Sequence, residues 1–142
     1  MDFDRDGLQV LSRGEALDLL RQTSICRVGI SIAALPAVLP VEFELVADQI
    51  VIQATRGSDL DIGTKNKVVA FEADSLQSGN PGGWSVMVCG FARDAGDVVK
   101  LAARARPSWS KTSAMDTVRL IAISTDIVSG RGMWPALRTT PG

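Results

Sequence analysis

The sequence predicts an α+β domain of short antiparallel strands that close, or half-close, into a small barrel with a few helices. Three observations carry that expectation. Apolar and polar residues alternate with period two over several separate stretches, and Gly, Asn, Asp and Pro punctuate them at hairpin spacing. The βαβ alternation of a dinucleotide-binding sheet is missing, as is any G-x-G-x-x-G. The 142 residues fit one domain, and 46% hydrophobic with 22% charged content is ordinary for a globular chain. A chain of this length buries roughly 68–70% of its unfolded surface, so it needs no disulfide or metal to hold it.

Residues 1–10 are expected to be a flexible leading segment, 11–133 the domain and 134–142 a flexible tail carrying Pro135 and Pro141. Ser12 and Glu15 match a capping box, and Ala16, Leu17, Leu19 and Leu20 give the following helix one apolar face through about Gln22. From Ser24 the period changes to two, with Ile25, Arg27 and Gly29 alternating with Cys26, Val28 and Ile30 in a first strand. A turn at Ala33 to Pro36 leads into a second strand, Ala37 to Leu45, where Pro40 must lie at an edge or bulge because it lacks a ladder donor. Ala47-Asp48-Gln49 connects this strand tightly to a third, Ile50 to Ala54. Ser58 caps a brief second helix running to about Asn66, whose first turn carries Asp59 and Asp61. Val68 to Ala73 is a fourth strand and Asp74 to Gly82 an exposed loop. The fifth strand, Trp84 to Ala92, puts Trp84, Val86, Val88 and Gly90 on one face and Ser85, Met87, Cys89 and Phe91 on the other. A third helix is expected over Asp97 to Ala105, then an irregular Pro107-Ser108-Trp109. Thr117 to Ser124 is a sixth strand, and Asp126 to Met133 continues or closes the sheet.

Composition excludes whole classes of chemistry. There is no histidine and no tyrosine, which removes Ser-His-Asp and Cys-His catalysis and histidine-ligated zinc or haem. The two cysteines, Cys26 and Cys89, sit in apolar strand-like runs and read as small buried hydrophobes, with a disulfide pair the alternative that sequence leaves open. Hard chemistry would therefore come from a bound organic cofactor. A net charge of −1 gives no positive face for nucleic acid, and the Arg104, Arg106, Lys111 cluster reads as a solvated loop. The acidic start, Met1-Asp2-Phe3-Asp4, is no signal peptide, and the longest apolar stretch, Ala33 to Val41, is too short to span a bilayer. The expectation is a cytoplasmic protein without nucleic-acid or membrane partners.

Leu39-Pro40-Val41-Glu42-Phe43, the passage from Ile50 to Leu60, Phe71-Glu72-Ala73-Asp74, Gly83-Trp84-Ser85-Val86-Met87-Val88-Cys89-Gly90 and Val128-Ser129-Gly130-Arg131 follow one another in a familiar order. Together they resemble the pyridoxamine 5'-phosphate oxidase-like family, in its compact actinobacterial branch, over about Leu11 to Met133. The resemblance implies a six-stranded antiparallel split β-barrel of the FMN-binding type. It also implies a homodimer with a small-molecule site at the subunit interface, holding FMN or the deazaflavin F-420. In such a fold the strand carrying Val41, Glu42 and Phe43 lays backbone groups along the flavin ring. Gln53, Thr55 and Ser58 stand where the phosphate is held, and Trp84 and Ser85 contribute from nearby or from the partner.

The phosphate position departs from the family pattern. Arg-Thr on the strand is Gln53-Ala54 here, and Gly-Thr-Lys at the helix is Gly57-Ser58-Asp59. A dianion wants free helix-start amides, small hydroxyls and a fixed cation. A carboxylate ~4 Å from a phosphate oxygen instead repels it by ~4 kcal/mol at an effective dielectric of about 20, nearly three orders of magnitude in affinity. Arg56 or Lys65 can compensate by swinging in, or Asp59 can face solvent.

Each candidate also has a plain reading. Trp84 stacks on a ring or fills the barrel core; Ser85 donates to a flavin carbonyl or is a solvated strand serine. Glu42 disfavours an anionic reduced flavin or is an exposed strand residue. Gln53 and Ser58 bind a polar ligand group or serve strand and cap, and Arg131 meets a ligand acid or makes a surface ion pair. Two functions follow: a flavin- or deazaflavin-binding oxidoreductase-like protein with a weakened phosphate clamp, or a non-catalytic split-barrel dimer that has lost the cofactor and binds a small ligand or protein.

Overall fold

The computed structural model describes residues 2–77, 80–95 and 117–132. Ser12 accepts from the Glu15 amide at 3.1 Å while the Glu15 carboxylate accepts from the Ser12 amide at 2.9 Å. This capping box starts helix α1, Arg13–Leu20, which buries Ala16, Leu17 and Leu20. Strand β3, Ile25–Ile32, buries Cys26, Val28 and Ile30 on one face and turns Ile25, Arg27 and Ser31 outward. Strand β4, Leu35–Val46, pairs back on it through a two-residue turn at Ala33-Ala34, and β5, Gln49–Thr55, follows through another at Ala47-Asp48. All four turn residues have positive φ, the backbone hand that fits the twist of a tight hairpin. Helix α2, Asp59–Gly63, is shorter than expected because Asn66 turns left-handed, with φ 51, before β6, Lys67–Gln77.

The loop expected over Asp74 to Gly82 is mostly ladder. β6 runs on to Gln77, and β7, Asn80–Asp94, begins at once opposite it, with a register shift between Ser75 and Gln77. Asp74 and Ser75 read as loop residues because the strand is partly open to solvent there, Asp74 half-buried and Ser75 and Leu76 exposed. Strands β8, Val118–Ile123, and β9, Ile127–Gly132, finish the described chain. Residues expected to lead freely into the domain instead form β1, Asp2–Phe3, and β2, Gln9–Leu11, and β2 pairs with β9. The expected third helix, the Arg104, Arg106, Lys111 cluster and the tail 134–142 lie outside the described residues.

The order β7-β6-β3-β4-β5-β8, closed by β7 pairing with β8, is a six-stranded antiparallel barrel. β9, β2 and β1 extend from β7 beside it. β7 thus has two partners on one edge: β9 from Trp84 to Cys89 and β8 from Ala92 to Asp94. Gly90 lies at the changeover, where a Cβ would meet the Ser124 carbonyl oxygen at 1.9 Å, so only glycine fits. The core fills the ring with Val28, Ile30, Phe43, Ile52, Phe71, Val88 and Ile121 among others. Phe43 and Phe71 meet edge to face at 5.0 Å, a geometry worth about 0.5–1.5 kcal/mol beyond their buried area. A second cluster, Val46, Val51, Ala95, Leu120 and Ala122, lies on the other face of β5 and β8. α2 packs on β3 tightly enough that a Cβ on Gly63 would meet Ile30 at 2.7 Å.

Candidate functional site

Among the described residues, the outer edge of β4 is open from residue 35 to residue 42. Its other edge pairs with β3 throughout, whereas β5 begins to pair only at Phe43, opposite Ile52. The Phe43 amide donates to the Ser24 carbonyl at 2.9 Å, and backbone groups alternate between the two edges of a strand. The even-numbered residues Pro36, Val38, Pro40 and Glu42 therefore turn their backbone away from β3. Both prolines fall in this set, so the open edge keeps the carbonyls of Pro36, Val38 and Pro40 but offers amides only at Val38 and Glu42, the Glu42 carbonyl being turned to the Gln53 amide where the β5 ladder starts. Pro40 is at an edge, as its chemistry requires. Prolines also blunt such an edge against strand-to-strand aggregation.

The expected site residues separate into groups. Val41 and Phe43 point into the barrel, Phe43 at 1% exposure and Val41 packed on the core from a half-buried position. Glu42 is exposed on the outer face, opposite Ile25. Trp84 is buried in the core cluster. Ser85 is half-buried on the outward face of β7 and donates to Glu72 Oε2 at 3.0 Å. Glu42 and Ser85 share that outward face but have β3 and β6 between them. Gln53 and Thr55 lie on the outer side of β5, opposite Leu120 and Val118. Ser58 caps α2, accepting from the Asp61 amide at 3.2 Å. Arg131 pairs with Asp4 at 2.8 Å.

A cleft of about 720 Å³ opens between the α1–β3 connection and β4, lined by Leu20, Arg21, Thr23, Ser24, Phe43 and Glu44 among others. Arg21 at its rim is already held by Asp18 at 2.8 Å and Asp48 at 2.9 Å.

At α2 the decisive carboxylate is one whose part in the sequence reading was only to complement the helix start. Asp59 is exposed; Asp61 is buried, and its Oδ2 accepts from the Gly57 amide at 2.8 Å. Its Oδ1 takes the Arg119 Nε at 2.7 Å, and Lys65 Nζ stands 3.8 Å from Oδ2. Arg119 is itself buried and also donates to Thr64 Oγ1 at 3.1 Å and the Asp61 carbonyl at 3.3 Å. The Gly57 amide bond is the main cause holding the Asp61 carboxyl below its usual range; burial opposes it, and Arg119 and Lys65 add to the lowering. A loop amide and a cation that could face an anion are thus turned on an internal carboxylate. Arg119 was invisible to sequence reasoning because it stands in an otherwise apolar strand, far along the chain from Asp61.

Cys26 is fully buried, and burial pushes its thiol up to about 12. It is no nucleophile. Among the described residues no group of three or more His, Cys, Asp or Glu is placed to hold a metal, and no helix is long and apolar enough to cross a membrane.

The family model for pyridoxamine 5'-phosphate oxidase matches residues 12–132. The chain belongs to that family. It is 40% identical over 131 residues to an uncharacterized protein of Mycobacterium tuberculosis, covering 84% of this chain and 82% of that one. Its fold is similar to that of the FAD binding protein from Mycobacterium smegmatis, with a TM-score of 0.72, 23% identity and coverage of 87% of this chain and 98% of the other. A FAD-binding protein from Mesorhizobium loti gives a TM-score of 0.67 at 19% identity, covering 87% and 95%. The barrel of this family member is thus the split barrel that the ordered segments implied.

Proposed function

We propose that this family member is a homodimeric flavin-binding redox protein that receives the flavin ring along the open edge of β4 and does not grip a terminal phosphate at α2. The open edge carries the reading. A flavin's pyrimidine portion presents acceptor, donor and acceptor in a row, and the edge can meet two neighbouring members of it, the Pro40 carbonyl accepting from the ring N–H and the Glu42 amide donating to a ring carbonyl. Pro36 and Pro40 keep another strand from claiming those groups. The FAD-binding relatives of like fold favour a flavin, whether FMN, FAD or deazaflavin F-420.

A bound flavin supplies hydride or two-electron transfer. The chain's own part is to orient and shield. The Glu42 carboxylate beside the edge disfavours gain of negative charge by a neighbouring ligand. At the phosphate position the residues do not fit: Gln53 is neutral, and the Gly57 amide and Arg119 are committed to Asp61. Val41 and Phe43 fix the strand from inside, and Trp84 acts as a core residue.

A second copy of the chain completes the site in this reading. The outward faces of β3, β4, β6, β7 and β9 expose Ile25, Val38, Val68, Met87, Phe91 and Ile127 at 41% or more. Exposed apolar side chains gathered on one sheet face are what a contact surface carries. Bulky Val38, Val68, Phe91 and Ile127 surround a floor of Gly29, Ala70 and Cys89, so one copy's rim can seat on the other's floor.

Fluorescence titration with riboflavin, FMN, FAD and F-420 tests the reading. Riboflavin is expected to bind within about threefold of FMN, since the Gly57 amide and Arg119 are already committed to Asp61. An FMN preference above about a hundredfold would overturn the claim about the tail. Absence of binding by all four at high micromolar concentration would overturn the flavin reading and favour the ligand-binding module, for which the Asp61–Arg119 closure is the supporting observation.

A further inference from the structure

We infer that the Glu72–Asp74 carboxyl pair couples self-association of the chain to pH, one proton being taken up at the pair by each subunit as the sheet face is covered. The inference rests on the reading of that face as the contact between two copies. Glu72 and Asp74 are alternate residues of β6 and point outward at the border of the apolar patch. Glu72 stands between Arg27 of β3 and Met87 of β7, and Asp74 stands opposite Ser85.

The geometry leaves the pair short of both charge and donors. Among the described residues Arg27 is the one cation in contact, with Nη1 3.6 Å from Glu72 Oε1 and 3.5 Å from Asp74 Oδ2. Glu72 Oε2 has the Ser85 hydroxyl at 3.0 Å, but Oε1 is buried with no hydrogen-bond partner among the described residues, and Arg27 reaches it only at ion-pair range. Burial of the Glu72 carboxyl pushes it above the usual carboxylate range, and Asp74 beside it adds to the push while Ser85 and Arg27 oppose it. Other charges on the face lie beyond intervening residues. Arg131 of β9 is across Ser85 and is paired with Asp4, and Glu42 of β4 is across Ile25.

Two ionised carboxylates with one guanidinium make a net charge of −1 at each copy of the cluster. Arg27 and Glu72 are still partly open to water, with side-chain exposures of 53% and 34%. A second subunit laid over them removes that water, and uncompensated charge is costly away from solvent. A proton taken from solvent onto Glu72 turns it into a donor toward Asp74, and the remaining carboxylate balances Arg27. The cluster becomes neutral, and the proton remains there while the face stays covered. Because the group binds its proton more readily in the dimer, the dimer is favoured as pH falls and loosens as pH rises.

Sedimentation equilibrium of the full chain from about pH 5 to about pH 8 tests this. The dimer dissociation constant is expected to rise with pH, by up to about a hundredfold per unit where both subunits release a proton. Glu72→Gln carries a permanent donor and no titrating group, so its dissociation constant is expected to be nearly flat across the range. A wild-type dimer whose constant does not move with pH overturns the inference and leaves the dimer reading standing. A steep dependence retained in Glu72→Gln overturns the assignment to this pair, and so does one lost equally in a Glu42→Gln control. A chain that stays monomeric at every pH at high micromolar concentration overturns the dimer reading itself.

Discussion

Replacing Arg119 with alanine is expected to be among the most damaging single changes outside the hydrophobic core. The substitution removes the 2.7 Å contact to Asp61 and the bonds to Thr64 and the Asp61 carbonyl, leaving a carboxylate only 3% exposed. Breaking one side of a buried pair costs about 3–5 kcal/mol, and the lower end applies here because Asp61 keeps the Gly57 amide and Lys65 at ion-pair range. Against a total stability of about 5–15 kcal/mol that is a large share. With a urea dependence of about 1–3 kcal/mol per molar, the unfolding midpoint should fall by about 2 M. Equilibrium urea unfolding followed by circular dichroism measures it. Pairing Asp61→Leu with Arg119→Met should cost less than Arg119→Ala alone, since no orphan charge remains. The wild type should also lose stability in acid. A carboxyl held below its ordinary value of 3.8 contributes stability above that value and loses it as pH falls through the lowered one. A midpoint shift for Arg119→Ala below about 0.5 M would refute the reasoning, as would a double variant weaker than the single.

Gly90→Ala is expected to destabilise by about 3 kcal/mol or more in the same assay, since its Cβ would meet the Ser124 carbonyl oxygen at 1.9 Å; a neutral result would mean that β7 does not pass from β9 to β8 there. Pro40→Ala restores an amide to the open edge of β4 and should raise the rate of aggregation seen by light scattering with little change in unfolding midpoint; an unchanged rate would show that the edge is covered by other means.

The barrel was legible because its strands alternate cleanly. Cys26, Val28 and Ile30, or Trp84, Val86 and Val88, announce an inner face with period two, and the capping box at Ser12 and Glu15 announces its helix. Pairing of β2 with β9 was not legible, because a three-residue strand carries too little pattern and its partner lies far along the chain. Ladder at Asp74 to Gln77 was hidden for a related reason: polar residues on a solvent-facing strand look like a loop. For the site, Pro40 foretold an edge from its missing amide alone. The Asp59 substitution pointed to the right loop, but which carboxylate turns inward depends on the helical geometry of α2, and Arg119 as its partner depends on long-range packing.

The union of β2 with β9 sets an order of events during synthesis. Gln9, Val10 and Leu11 emerge early and must wait, with only β1 beside them, until Gly130 to Gly132 follow the whole ring out. Loop-closure entropy makes so distant a contact slow to form, so the closed ring can assemble first and recruit this early strand last. Until then the outer edge of β7 from Trp84 to Cys89 stands bare in the nascent chain, and the interval before β9 arrives is when that chain most needs shelter.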